Sequence, residues 1–273
     1  MPITSDYHLH SSFSGDSNTP MEDMILRGIE LGLKKICFTE HMDFDYPATA
    51  KTPENYFVVN TDSYLYDLIR LRDKYAGQIV VNFGIELGLQ PHLTKENAKY
   101  VKTYDFDFVI ASLHICNRKD PYLPAFFESR PDKEGYREYF AAALDNIRKF
   151  TNFDVFGHLD YVVRVGMNKD NDYFYDDYRD ILDELLTALV NADKGLEVNT
   201  GAISYGLREL NPSNAIIKRF RELGGEIITI GSDAHTGPDM TRGFDRAATV
   251  LKDCGFKYYA VFDKRVASFI SIY

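Results

Sequence analysis

The sequence predicts an α/β fold: a closed or slightly distorted barrel of seven strands wrapped by helices. Three observations carry this. Short apolar runs and helix-period segments take turns almost throughout the chain. The runs are apolar without alternation, as strands buried on both faces of a parallel sheet are. Seven of them, at 3–10, 35–39, 78–85, 108–113, 154–157, 195–198 and 226–231, suit a closed barrel better than an open sheet. A length of 273 residues fits one such barrel. No repeat or low-complexity linker divides the chain, so 1–273 is expected to be a single domain.

The elements follow in order. After the first strand, 11–18 is a polar loop with Gly15 and Asp16. Thr19 and Pro20 read as N-cap and first residue of a helix that Gly32 ends. The strand at 35–39 leads to Glu40 and His41, then to a long loop over 42–60; loops of that length inside a compact domain are usually functional. A helix at 62–76 carries Leu65, Leu68, Ile69 and Leu71 as its apolar stripe. The third strand arrives at Glu86, a short helix covers 94–104, and the fourth strand arrives at His114. A second long loop spans 115–133 before a helix at 134–150, and the brief fifth strand arrives at His158.

In the helix over 174–192, Tyr178, Ile181, Leu182, Leu185, Leu186 and Leu189 recur at helical spacing, a core-packing stripe. The sixth strand ends at Asn199, a helix covers 213–223, and the seventh strand arrives at Ser232-Asp233-Ala234-His235. A helix near 246–253, a weak strand at 257–261 and a short terminal helix are expected to close the chain.

Composition narrows the function classes. The hydrophobic fraction of 45% is ordinary for a protein with a full core. A net charge of −10 argues against nucleic acid as a partner, since polymer binding rests on a basic footprint. It suits an enzyme that holds cations and acts on a small molecule. Cys37, Cys116 and Cys254 stand far apart with no C-x-x-C pair, which excludes a thiolate zinc motif and fits a reducing compartment. No signal-peptide pattern opens the chain and no run approaches a membrane span, so a cytoplasmic protein with no membrane partner is expected.

The polar residues carry the chemistry. On a strand, His8 and His10 point the same way, about 7 Å apart, which makes half a site for a divalent metal. Of seven histidines, six lie at or just past a predicted strand's C-terminal end: His8, His10, His41, His114, His158 and His235. Glu86 and Asp233 hold equivalent positions. These ends share one face of an α/β barrel, where active sites are built. His92 stands outside the pattern as a loop or surface residue. Histidine and carboxylate donors without thiolate suit Zn, Mn or Fe, and this many donors exceed the needs of one ion. Two or three divalent ions are expected, and metal-assisted hydrolysis is the leading reaction class.

Asp6-Tyr7-His8-Leu9-His10, Thr39-Glu40-His41, Gly84-Ile85-Glu86, Ser112-Leu113-His114, Gly157-His158-Leu159-Asp160 and Ser232-Asp233-Ala234-His235 resemble, in type and order, the motifs of the polymerase and histidinol phosphatase (PHP) superfamily. Chain length, loop lengths and the Ser-Leu-His and Gly-His-x-Asp segments look most like its histidinol-phosphate phosphatase branch. The resemblance implies a distorted (β/α)7 barrel and three metals. His8, His10, Glu86 and Asp233 would hold the first. Glu86 would bridge to a second, completed by His114 and His158, and Asp16, His41 and His235 would hold a third. Some members of the superfamily have histidine at the Asp16 position.

The reaction implied is hydrolysis of L-histidinol phosphate to L-histidinol and phosphate, a step of histidine biosynthesis. A hydroxide between the first two ions would attack phosphorus, with Asp16 or His235 as the acid for the departing alkoxide. A phosphate dianion calls on arginine. Arg164 lies six residues past His158, and Arg118 and Arg208 sit in candidate loops. Asn199, at a strand end without a ligand, either hydrogen-bonds substrate or caps the strand. The alternatives are a PHP phosphoesterase for nucleotides, phosphotyrosine protein or nucleic-acid ends, a metal-dependent amidohydrolase, and a metal-binding protein without activity. Histidine two residues after Asp233 favours the PHP reading over the amidohydrolase.

Overall fold

The computed structural model describes residues 3–273; Met1 and Pro2, the first two residues of the expected domain, lie outside the described residues. Parallel strands run in the order β1 (Ser5–Leu9), β2 (Lys35–Phe38), β4 (Val80–Gly88), β5 (Phe108–Ser112), β6 (Val155–Phe156), β7 (Gly195–Asn199) and β8 (Ile228–Gly231). The two-residue β3 (His41–Met42) is β2 resumed. Thr39 and Glu40 break the strand, and His41 then pairs with Glu86 on β4. The barrel therefore has seven strand positions, as expected.

The edges β1 and β8 are drawn together just beyond the last regular pair. Asp233 N donates to His8 O at 2.9 Å, and His10 N donates to Ala234 O at 3.0 Å. Asp6 reinforces the seam, accepting from Ser232 N at 2.9 Å. This is a nearly closed (β/α)7 barrel, distorted where β1 shifts register between Asp6 and Leu9.

The connecting helices are α1 (Met21–Glu30), α2 (Thr61–Lys74), α3 (Thr94–Thr103), α4 (Asp132–Lys149), α5 (Arg179–Asn191), α6 (Asn214–Glu222) and α7 (Phe244–Asp253). Leu182, Leu185, Leu186 and Leu189 of α5 are all fully buried, so the stripe read from spacing is the packed face. Gly32 ends α1 with φ 76°, a left-handed turn that glycine adopts without strain. Thr19 does not cap α1. Its hydroxyl donates instead to the carbonyl of His235, as does that of Ser17.

The C-terminus departs from expectation. The weak strand at 257–261 is β9 (Tyr258–Asp263), but β10 (Val266–Ser271) replaces the terminal helix and pairs antiparallel with β9. Val266, Phe269 and Ile270 favour strand, and Lys264 and Arg265, both at positive φ, close the hairpin. The hairpin turn docks on residues that begin barrel strands. Lys264 N and Arg265 N donate to Asp107, and the Arg265 guanidinium pairs with Asp154. The Tyr7 hydroxyl donates to Phe262 O at 2.7 Å, and the Phe108 ring lies between those of Tyr7 and Phe262 at 5.3 and 4.9 Å.

Candidate metal centre

The strand ends bring together residues more than two hundred positions apart. His8 Nε2 lies 3.3 Å from Glu86 Oε2 and 3.6 Å from Asp233 Oδ1; His10 Nε2 lies 3.5 Å from both. A tetrahedron with metal–ligand bonds of about 2.0–2.1 Å has edges of about 3.3–3.4 Å. Each of the two imidazole nitrogens therefore stands about one such edge from both carboxylate oxygens, as ligands sharing an ion do. His8 Nε2, His10 Nε2 and Glu86 Oε2 are fully buried and have no hydrogen-bond partner among the described residues, a costly arrangement unless a cation serves them.

Glu86 reaches both ways. Its Oε1 lies 2.8 Å from His158 Nε2 and 3.1 Å from His114 Nε2. At the mouth, Asp16 Oδ2 lies 3.1 Å from His235 Nε2 and 3.5 Å from His41 Nε2. The imidazole of His10 stacks between those of His41 and His235, at 4.3 Å from each. All nine candidate ligands thus fall in one cluster, and they can hold divalent metal. Asp233 takes its place at φ 56°, a strained backbone costing about 1–3 kcal/mol that the seam with His8 maintains.

Charge balance is lopsided. Asp16, Asp43, Glu86 and Asp233 line the cleft, with Arg164 the one permanent cation among its lining residues. Burial disfavours ionising Glu86 and Asp233, yet His8 and its neighbours hold both carboxyls well below the usual range. Burial likewise lowers His8, but Glu197, Glu86 and Asp233 outweigh it and raise its pKa well above the ordinary value. In effect the carboxylates draw protons onto imidazoles where cations would serve.

A surrounding layer of acceptors, not singled out from the sequence, orients the imidazoles. Glu197 Oε1 lies 2.6 Å from His8 Nδ1, while its Oε2 accepts from His158 N at 2.9 Å. Asp43 Oδ1 lies 2.8 Å from His114 Nδ1. Ser14 Oγ lies 3.0 Å from His10 Nδ1 and donates to the buried Glu40. Each partner occupies Nδ1 and so turns Nε2 inward, which fixes both ring orientation and tautomer. Glu197 had a visible signal: a carboxylate inside the apolar strand Gly-Leu-Glu-Val-Asn must find a partner. Asp43 sits in the first long loop and gives no such sign.

The four candidate substrate residues separate. Arg164 is buried and lines the cleft, its guanidinium over the rings of Tyr161 and Tyr205. Asn199 is fully buried and spends its amide internally, accepting from Arg164 Nη2 at 3.0 Å and donating to Asp233 and Glu197. Arg118 is exposed at 3.8 Å from Asp45, outside the cleft. Arg208 borders a different groove, bonded to the carbonyl of Asp170. His92 is a surface residue, as expected, though it sits in a single 3-10 turn (Pro91–Leu93) and not a loop, 2.8 Å from Asp45. Tyr46 and Phe57 from the first long loop form another wall with Tyr161 and Tyr205, and the Tyr46 hydroxyl donates to Asp120 of the second loop at 2.8 Å.

The PHP domain matches residues 6–201. Histidinol-phosphatase of Lactococcus lactis is 35% identical over 94% of this chain and 93% of its own. A probable histidinol-phosphatase of Clostridium acetobutylicum is 32% identical over 97% and 98%. The crystal structure of the Lactococcus lactis histidinol phosphate phosphatase, complexed with Zn, L-histidinol and phosphate, superposes with a TM-score of 0.85 at 32% identity, covering 97% of this chain and 98% of that one. A fold this similar, sequence similarity along nearly its whole length and a histidine–carboxylate cluster at the strand ends have one conclusion: the chain belongs to the PHP family, in its histidinol-phosphatase branch.

Proposed function

We propose that the chain hydrolyses L-histidinol phosphate to L-histidinol and inorganic phosphate, as a cytoplasmic enzyme of histidine biosynthesis with one catalytic domain. The observation that carries this is the set of orphaned ligand atoms, His8 Nε2, His10 Nε2 and Glu86 Oε2, with Asp233 3.6 Å from His8 Nε2, in a chain so like the Lactococcus lactis enzyme. An acidic cleft repels a phosphate dianion until cations occupy it, so the same cluster that binds metal creates the phosphate site.

In this reading His8, His10, Glu86 and Asp233 hold one divalent ion, Glu86, His114 and His158 a second, and Asp16, His41 and His235 a third, with Zn, Mn or Fe as occupants. Such ions make hydroxide available near neutral pH and offset charge on the phosphoryl oxygens. Arg164, held against Asp233, contributes a fixed guanidinium to those oxygens from beside the first ion. His41 and His235 hold the Asp16 carboxyl well below its usual range against the effect of burial, so it has no proton to give. With the third ion in place His235 Nε2 would be a ligand while its Nδ1 donates to Asp233 O, so His235 could serve as the acid for the departing alkoxide only when that ion is absent. Tyr46, Phe57, Tyr161 and Tyr205 offer ring faces to the imidazole and ammonium ends of the substrate.

Chelator-stripped protein should lose phosphate release and regain it on adding Zn, Mn or Fe. Persistent turnover in metal-free protein, or none in reloaded protein, defeats the reading. A phosphoesterase for nucleotides or phosphotyrosine has no particular observation in its favour.

A further inference from the structure

Asp160 closes the Gly157-His158-Leu159-Asp160 segment, yet it touches no candidate ligand and is almost completely buried. Its Oδ1 accepts from Asn211 Nδ2 at 2.7 Å, and its Oδ2 accepts from Ser213 N at 2.9 Å. An ionised carboxylate offers acceptors only, so it compels the Asn211 amide to turn its NH2 toward Asp160. The other end of that amide, Oδ1, must then face Arg164, whose Nε donates to it at 2.8 Å. The Asn211 backbone cannot drift, because it exchanges two hydrogen bonds with Asn199, at 2.7 and 3.1 Å.

Two more acceptors complete the hold. Asn199 Oδ1 takes a hydrogen from Arg164 Nη2 at 3.0 Å, and Asp233 Oδ2 takes one from Nη1 at 3.1 Å. A guanidinium is planar with five N–H donors, so bonds at all three nitrogens fix its plane and its rotation within that plane. One hydrogen on each terminal nitrogen is left over. These two remain to donate to phosphoryl oxygens.

We infer that Asp160 and Asn211 are positioning residues for the phosphatase reaction, setting the orientation in which Arg164 meets the phosphoryl oxygens through a relay of fixed amide polarity, Asp160 to Asn211 to Arg164. The inference rests on the phosphatase reading and on Arg164 as a phosphate contact. It explains why an aspartate stands where no metal needs it, and why Arg164 lies buried in a fixed pose. An asparagine at 160 reverses the logic. Its own NH2 must face either the Asn211 NH2 or the Ser213 N–H, and the Asn211 amide relieves the first clash only by flipping its NH2 onto the Arg164 Nε–H.

The test combines kinetics with one signal that does not depend on turnover. Asp160→Asn and Asn211→Ala are each made in the wild-type and Arg164→Lys backgrounds. Each single variant should lower kcat/KM by about 10- to 100-fold, mainly in kcat, with metal content unchanged. In the Arg164→Lys background the same changes should cost little more, since residues acting through one group are not additive. By 15N NMR, the Arg164 Nε–H resonance, identified by its loss in Arg164→Lys, should shift or exchange faster in both variants. Costs that add fully to Arg164→Lys indicate a merely structural role and overturn the inference, as does an unchanged Nε–H resonance. Should the wild-type protein not hydrolyse histidinol phosphate, the substrate reading fails while the resonance still reports on the relay.

Discussion

Glu197 Oε1 lies 2.6 Å from His8 Nδ1, and this contact aims His8 Nε2 at Glu86 and Asp233. One carboxylate in the middle of a barrel strand thereby determines how a histidine 189 residues away presents its ligand atom. Glu197 also receives the His158 N–H, so both its oxygens must accept. Glu197→Gln places an NH2 against one donor or the other. Metal affinity should fall about 10- to 100-fold, measured as ions retained after dialysis against a graded chelator series. Retention equal to wild type would remove Glu197 from this role.

Gly231 is where β8 passes closest to that pair. A Cβ there would stand 2.3 Å from His8 Cβ and 2.5 Å from Glu197 Oε1. Both neighbours are buried and held, so neither yields cheaply. Gly231→Ala should destabilise the fold by about 1–3 kcal/mol and weaken metal retention together. Chemical denaturation beside metal analysis checks both, and a stable variant with full metal content would show that the seam tolerates displacement.

Loading metal should release protons. Burial pushes the His114 imidazole down, but Asp43 and Glu86 outweigh it and carry its pKa up to about 10; His8 is raised in the same way. A ligand imidazole must be neutral, so each such group gives up a proton when the ion binds. The sign follows: affinity falls as pH falls, and rises with pH through neutrality. Calorimetry of Zn binding in two buffers of different ionisation enthalpy should reveal net proton release, whereas buffer-independent heats would contradict it.

The C-terminal hairpin makes a prediction about stability alone. Phe262 is buried beneath the barrel, beside Phe108, and its carbonyl receives the Tyr7 hydroxyl. Phe262→Ala should cost about 3–5 kcal/mol in denaturant unfolding and leave the metal content of the folded protein intact. Loss of metal in the folded variant would mean that the hairpin also shapes the site.

Much of this protein was legible in its sequence because its signals are local and periodic. Apolar runs without alternation marked the parallel strands, and histidines at their ends marked the face where the cluster forms. The terminal strand β10 is not legible as a strand, because a six-residue segment gives too little periodicity to separate strand from helix, and its pairing with β9 decides the matter. Thr19 looked like a cap, but its hydroxyl finds the His235 carbonyl, a partner that only the closed barrel brings near. Arg118 and Arg208 had plausible loop positions, yet Asp45 and Asp170 claim them, and loop paths do not follow from strand order. Glu197, Asp43 and Glu40 act through other side chains, so their spacing carried no ligand pattern.

The most direct measurement is kcat/KM of the metal-loaded protein for L-histidinol phosphate beside a nucleotide monophosphate, phosphotyrosine and an aryl phosphate. A preference for histidinol phosphate of at least about 100-fold is expected, a difference of about 2.7 kcal/mol in transition-state binding. Equal and slow hydrolysis of every ester, with the metal cluster filled, would contradict it and leave a PHP phosphoesterase of another specificity.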